Sequence, residues 1–139
     1  MGTEDIIRTQ LEAFNRHDAA AFAACYTAKA VVADPQSPDL LSGTEAIGKD
    51  IGDWFGAFPD IETRVTRTVL NGASYAAEWS MSGTHKGPLV MPDGHVPATG
   101  KRLRINVATI GRVDAEGRIV EERRYYDLAG VMSQLGLMQ

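Results

Sequence analysis

The hydrophobic pattern of this chain changes period once, at Pro59, and that change constrains its fold more than any other feature. Before Pro59 the apolar residues recur at helical spacing: Ile6, Ile7, Leu11 and Phe14, then Ile47, Ile51, Trp54, Phe55 and Phe58. After it the spacing becomes two, with Ile61, Val65 and Val69 set against Glu62, Arg64 and Thr66. A period of 3.6 buries one stripe of a helix, whereas a period of 2 buries one face of a sheet. Helices therefore come first and an antiparallel sheet follows, an α+β arrangement with helices packed on one face.

The punctuation refines this. Glu4 and Asp5 favour the positive end of a first helix that breaks at the Asn15–Asp18 stretch. Asp18 suits the cap of a second short helix, AAAFAACYT, with Phe22, Cys25 and Tyr26 inward. AVVAD makes a short strand stopped by Pro35, and the third helix is expected to be capped by Thr44 and ended by Pro59. Asn71-Gly72 is a hairpin turn between IETRVTRTVL and SYAAEWSMSGTH. The Gly- and Pro-rich stretch 86–100 is a loop, followed by strands KRLRINVATIGRV and RIVEERRYYD and a final helix LAGVMSQLGLM. The sheet is thus expected as a four-strand meander curved against the helices, enclosing a hydrophobic pocket for a small molecule.

A length of 139 residues suits one domain over 1–139, and the formal net charge of -4 argues against a nucleic-acid partner. No run approaches a membrane span and the N-terminus lacks a signal-peptide pattern, so a cytoplasmic location is expected. The single Cys25 reads as a small core residue.

Few residues offer chemistry. Asp127 ends the run EERRYYD just where the last helix begins, so it can cap that helix or stand at the end of a pocket as a general acid/base. Strand alternation puts Asp127, Tyr125 and Arg123 on one face and Tyr126, Arg124 and Glu122 on the other; the alternation alone does not say which is inward. His85 lies where a strand meets the glycine-rich loop, a place for a supporting polar group, with Trp79 and Met81 on the same face of its strand. Asp34 is an acid at a strand end near the expected pocket mouth, and Phe14 and Trp54 offer apolar walls from their helices. His17 and His95 read as surface residues in turns. The three histidines share no metal-ligand spacing, so no metal is expected, and no phosphate loop or nucleophile elbow is present.

Taken in order, FNRHDAAAFAACYTAKAVVADP, GTEAIGKDIGDWFGAFPDIETRV, WSMSGTHKGPL, PATGKRLRI and GRIVEERRYYDLAGVMSQLGL resemble the SnoaL-like polyketide cyclases, also called ester cyclases, of the nuclear-transport-factor-like superfamily. The resemblance implies a cone-shaped α+β barrel, a homodimer, and cofactor-independent ring closure of a hydrophobic carbonyl compound. The acid/base of that reaction would fall on Asp127. The end of the same run is also similar to limonene-type epoxide hydrolases, whose aspartate–arginine–aspartate arrangement holds a water. Trp79 and Met81 stand where that resemblance would put the Arg and second Asp, which counts against epoxide hydrolysis. It further implies that Trp79, Met81, Ile105, Val107 and Asp127 face the pocket, with Arg104 and Asn106 outside. The expectation is an acid/base enzyme using Asp127 and His85, its ligand held by Trp79, Met81, Ile105, Val107, Tyr125, Trp54, Phe14 and Asp34. A non-catalytic binder of a small hydrophobic ligand is the alternative.

Overall fold

A computed structural model describes residues 2–138. Helix α1 (Thr3–Asn15) opens on Gly2, whose backbone N–H donates to the Asp5 side chain. Its inward stripe is Ile6, Ile7, Gln10, Ala13 and Phe14. Helix α2 is only Ala19–Ala23, capped by Asp18 through the Ala21 N–H. Strand β1 (Tyr26–Ala33) begins within the segment expected to be helical and is longer than the short strand expected there. Tyr, Thr and Val crowd this segment, and branched or aromatic side chains fit a pleated surface better than a helix. After the two-residue β2 (Leu41–Ser42) comes α3 (Gly43–Ala57). Ser42, not Thr44, stands at its N-cap position, and no side chain bonds there.

The sheet strands are β3 (Glu62–Asn71), β4 (Ser74–Thr84), β7 (Arg102–Val113) and β8 (Ile119–Tyr125). Between them the expected loop folds as a small hairpin of β5 (Leu89–Met91) and β6 (Gly94–Val96). The main sheet has six strands in the order β2-β1-β8-β7-β4-β3, a curved, antiparallel-rich sheet backed by the N-terminal helices. The meander is right for β3, β4, β7 and β8. What it lacked is β1, which pairs parallel with β8 and brings Val32 beside Glu122 and Ala33 beside Arg123. Helix α4 (Leu128–Gln134) closes the fold, its Leu135 cap buried beside Val131.

Register decides which side chains meet beneath the helices. One inner row runs Val65, Trp79, Val107 across β3, β4 and β7. The next runs Thr68, Ala77, Thr109, Arg124, and a third runs Leu70, Tyr75, Gly111, Glu122. The outer face carries Glu78, Ala108 and Tyr125 in one row and Ala76, Ile110 and Arg123 in another. Among the described residues no helix is long and apolar enough to cross a membrane.

Candidate functional site

Helices and sheet leave a narrow cavity with about 70 Å³ of free volume, roughly a handful of waters. Phe14, Phe22, Ile51, Trp54, Ile61, Trp79, Met81, Ile105 and Val107 form its apolar wall. The expected placing of Phe14, Trp54, Trp79, Met81, Ile105 and Val107 on that wall agrees with the fold. The polar lining comes from Gln10, Asp34, Thr109, Glu122, Arg124 and Tyr126.

The phase of β8 is opposite to the one implied for Asp127. Glu122, Arg124 and Tyr126 point inward, while Tyr125 is 51% exposed on the outer face. Asp127 is exposed and accepts from the Gly130 N–H as the cap of α4. It is not on the cavity wall, and neither is Tyr125. The physical reason lies in the pairing: Glu122 stands opposite Gly111, and the missing side chain there leaves room for Tyr75. A Cβ on Gly111 would collide with the Tyr75 phenol. Burial of an acid and a guanidinium on the same strand face inverts the usual polar-out pattern, and only their partners make it tolerable.

His85 is also placed differently. It is 0% exposed, away from the cavity lining, with its ring 5.3 Å from that of Phe58. Its Nδ1 lies 3.2 Å from the Thr99 N–H that donates to it and 2.9 Å from Thr99 Oγ1, which ties the two ends of the 86–100 segment together. Burial depresses its pKa, partly offset by the Gly87 backbone. His17 is not free at the surface either: Nε2 lies 2.6 Å from the Ile61 carbonyl, and the residue has a positive φ of 56°. His95 and Arg104 are exposed, Asn106 is on the outer face, and Cys25 is buried with its thiol pushed up to about 11 by burial and by Glu122.

The charged centre is Arg124. Its Nη1 donates to Asp34 Oδ2 at 3.1 Å and to Asp50 Oδ2 at 2.9 Å, and its Nε to Glu122 Oε1 at 3.3 Å. Asp34 Oδ1 accepts from the Tyr126 phenol at 2.7 Å and from the Gln36 N–H at 2.9 Å. Glu122 accepts from Tyr26 at 2.7 Å and from Tyr75. Three carboxylates thus share one guanidinium. Burial pulls the Arg124 pKa down, but Tyr26, Glu122, Asp50 and Asp34 outweigh it and leave the pKa raised, so the group stays charged. Burial raises the Asp50 pKa, Arg124 opposes that, and the nearby Asp34 adds to it. Burial and then Asp34 push the Tyr126 phenol upward; burial and then Glu122 do the same to Tyr26 and Tyr75.

Of the expected polar site residues, only Asp34 belongs to this assembly. The sequence pattern does not single out Arg124, Glu122, Tyr126, Asp50 or Gln10 as site residues. One signal was present: Gln10 interrupts the apolar stripe of α1 between Ile6, Ile7 and Phe14. Arg124 and Glu122 gave no such signal, because charged residues alternate on both faces of that strand.

The comparisons agree with this architecture. The structure of TsrD from Streptomyces laurentii is similar at a TM-score of 0.82 and 22% identity, covering 97% of this chain and 95% of that one. IdmH from Streptomyces antibioticus is similar at a TM-score of 0.77 and 26% identity, covering 98% and 99%. A Catenulispora acidiphila protein with a ketosteroid isomerase-like fold, at a TM-score of 0.76 and 20% identity over 95% and 92%, shares the fold. No curated protein matches in sequence. The family model of the SnoaL-like polyketide cyclases matches residues 4–135, nearly the whole of a chain whose sheet, helices and apolar cavity fit that family, and the chain therefore belongs to the SnoaL-like polyketide cyclases.

Proposed function

We propose that the protein is a cofactor-independent acid/base enzyme acting on a small hydrophobic carbonyl compound, with Asp34 rather than Asp127 as the proton-transfer group. The observation that carries this reading is the meeting of an apolar wall with Asp34, Arg124 and Tyr126 in one cavity. A base for a C–H beside a carbonyl needs a carboxylate within reach of an apolar substrate, and an enolate needs a donor for its new charge. Arg124 orients Asp34 through the hydrogen bond from its Nη1. The Tyr126 phenol now donates to Asp34; turning its O–H to an enolate oxygen frees an Asp34 lone pair as the base needs it. The free volume is small for a multi-ring substrate, so Trp54 and Met81, both only partly buried, would have to move aside.

The test is deuterium exchange at the α-carbon of polycyclic aromatic β-keto esters in heavy water, followed by proton NMR. Asp34→Asn should slow exchange by about 10²–10⁴-fold. Exchange at the wild-type rate in that variant would sink the assignment. Asp127→Asn, which keeps a capping side chain, discriminates the two positions: loss of exchange in it alone would return the role to Asp127. No exchange by the wild-type protein, with tight binding of the same esters, would make it a ligand-binding protein.

A second reading has its own observation. Asp34, Arg124 and Asp50 form an aspartate–arginine–aspartate group, drawn from the end of β1, from β8 and from α3 rather than from β4. Such a group can polarise a water toward an epoxide, and formation of a diol from an apolar epoxide would favour it over carbonyl chemistry. Homodimerisation is proposed through the outer sheet face, where Ile110 is 52% and Tyr125 51% exposed. Ile110→Lys should then convert a dimer to a monomer in light scattering, and a monomeric wild-type protein would refute the interface.

A further inference from the structure

The cavity lining contains an acceptor that no donor among the described residues reaches. Gln10 is 2% exposed and lines the cavity, and its Oε1 has no hydrogen-bond partner among the described residues. Its orientation is fixed by the surrounding hydrogens. The Tyr26 phenol gives its hydrogen to Glu122 at 2.7 Å, so its oxygen can only accept. Gln10 therefore presents its amide nitrogen to Tyr26, at 2.9 Å, and its carbonyl oxygen is the end left over. Exchanging the two ends would set two acceptors against each other.

The other acceptors on the wall each already receive a donor of the protein. Both Glu122 oxygens receive phenols and Arg124 adds to one of them. Both Asp34 oxygens are bonded, and Thr109 Oγ1 accepts from Trp79 Nε1 at 3.0 Å. The cavity that Gln10 lines is walled by Phe14, Phe22, Trp79 and Val107 among others, which offer a ligand donor no acceptor. An unpaired carbonyl in such a wall favours a ligand that supplies a hydrogen and otherwise offers apolar surface.

We propose that Gln10 Oε1 forms a hydroxyl-recognition subsite, so that the preferred ligand is an apolar ring compound bearing a free O–H at the end that enters toward Tyr26. The inference rests on the cavity being the ligand site, but not on Asp34 being its base. Gln10 acts here as a binding residue, selecting among ligands before any chemistry.

The test is a binding comparison with three probes: 2-naphthol, 2-methoxynaphthalene and 2-methylnaphthalene, measured by calorimetry or by quenching of tryptophan fluorescence. Wild-type protein should bind the naphthol about tenfold more tightly than either of the others, the ordinary net gain of one added hydrogen bond. Gln10→Met, which keeps the volume and removes the acceptor, should abolish that preference while retaining the methylnaphthalene. Equal binding of the three by the wild type would overturn the proposal without any variant. A preference that persists in a folded Gln10→Met protein would place the acceptor elsewhere, and failure to bind any of the three would overturn the cavity as a subsite. Because binding is read without turnover, Asp34→Asn separates the two ideas: retained naphthol preference with normal carbon exchange defeats the base assignment and leaves the subsite standing.

Discussion

At the residue scale the molecule turns on an imbalance of charge. Arg124 answers three acids, and Asp50 is the one whose second oxygen has no hydrogen bond among the described residues. Its folded pKa is raised, chiefly by burial, so folding favours its protonated form. The stability this contributes is complete below the unfolded carboxylate value and is lost as pH rises through the folded value. Asp50→Asn should therefore raise the melting temperature at pH 7 and have little effect near pH 4. Thermal melts across that interval check this; a variant destabilised at pH 7 but not near pH 4 would show that the ion pair with Arg124 outweighs desolvation. The three residues Gly111, Tyr75 and Glu122 illustrate the same dependence on detail, since one missing Cβ gives a phenol its path to a buried acid.

At the scale of elements, helix and strand types followed from periodicity, and the phase of one strand did not. Residues 121–126 alternate charge and ring on both faces, so neither face is the apolar one. Alternation thus pairs Glu122 with Arg124 and Tyr126 correctly while leaving their direction open. The decision is made by partners distant in sequence: Tyr26, Asp34, Asp50, Tyr75 and Gly111. Local pattern extends α2 too far for a similar reason, since the pairing of Tyr26 with Ile119 is tertiary information. Asp127, by contrast, was legible as a cap, and α4 is only seven residues long. Asp127→Ala should cost about 1 kcal/mol of stability, and Asp127→Asn much less. Chemical denaturation of the two variants measures the difference; equal losses would mean that the cap contributes nothing and the carboxylate matters in some other way.

At the scale of the whole molecule, the α+β architecture and the apolar half of the cavity were open to reading, and the polar half was not. Phe14 and Trp54 are signalled by helical period, whereas strand period only groups Trp79 with Met81, and it is the resemblance that implies an inward face for Trp79, Met81, Ile105 and Val107. A polar centre made of compensating charges has no local pattern, because each member looks like a surface residue until its partner is known. The parallel pairing of β1 with β8 completes that centre, joining residues 34 and 124 through an ion pair and residues 26 and 122 through a hydrogen bond.

That pairing has a consequence in time. While the chain is being synthesised, Asp34 and Asp50 emerge long before the guanidinium that sits between them. Until β8 is made, the first strand has no neighbour on that side, and the two acids stand without their cation. Contacts across some ninety positions close late because of the loop entropy they must overcome. The polar half of the cavity is therefore completed late, and a chain released before residue 124 would carry the apolar walls without the cation that its acids require.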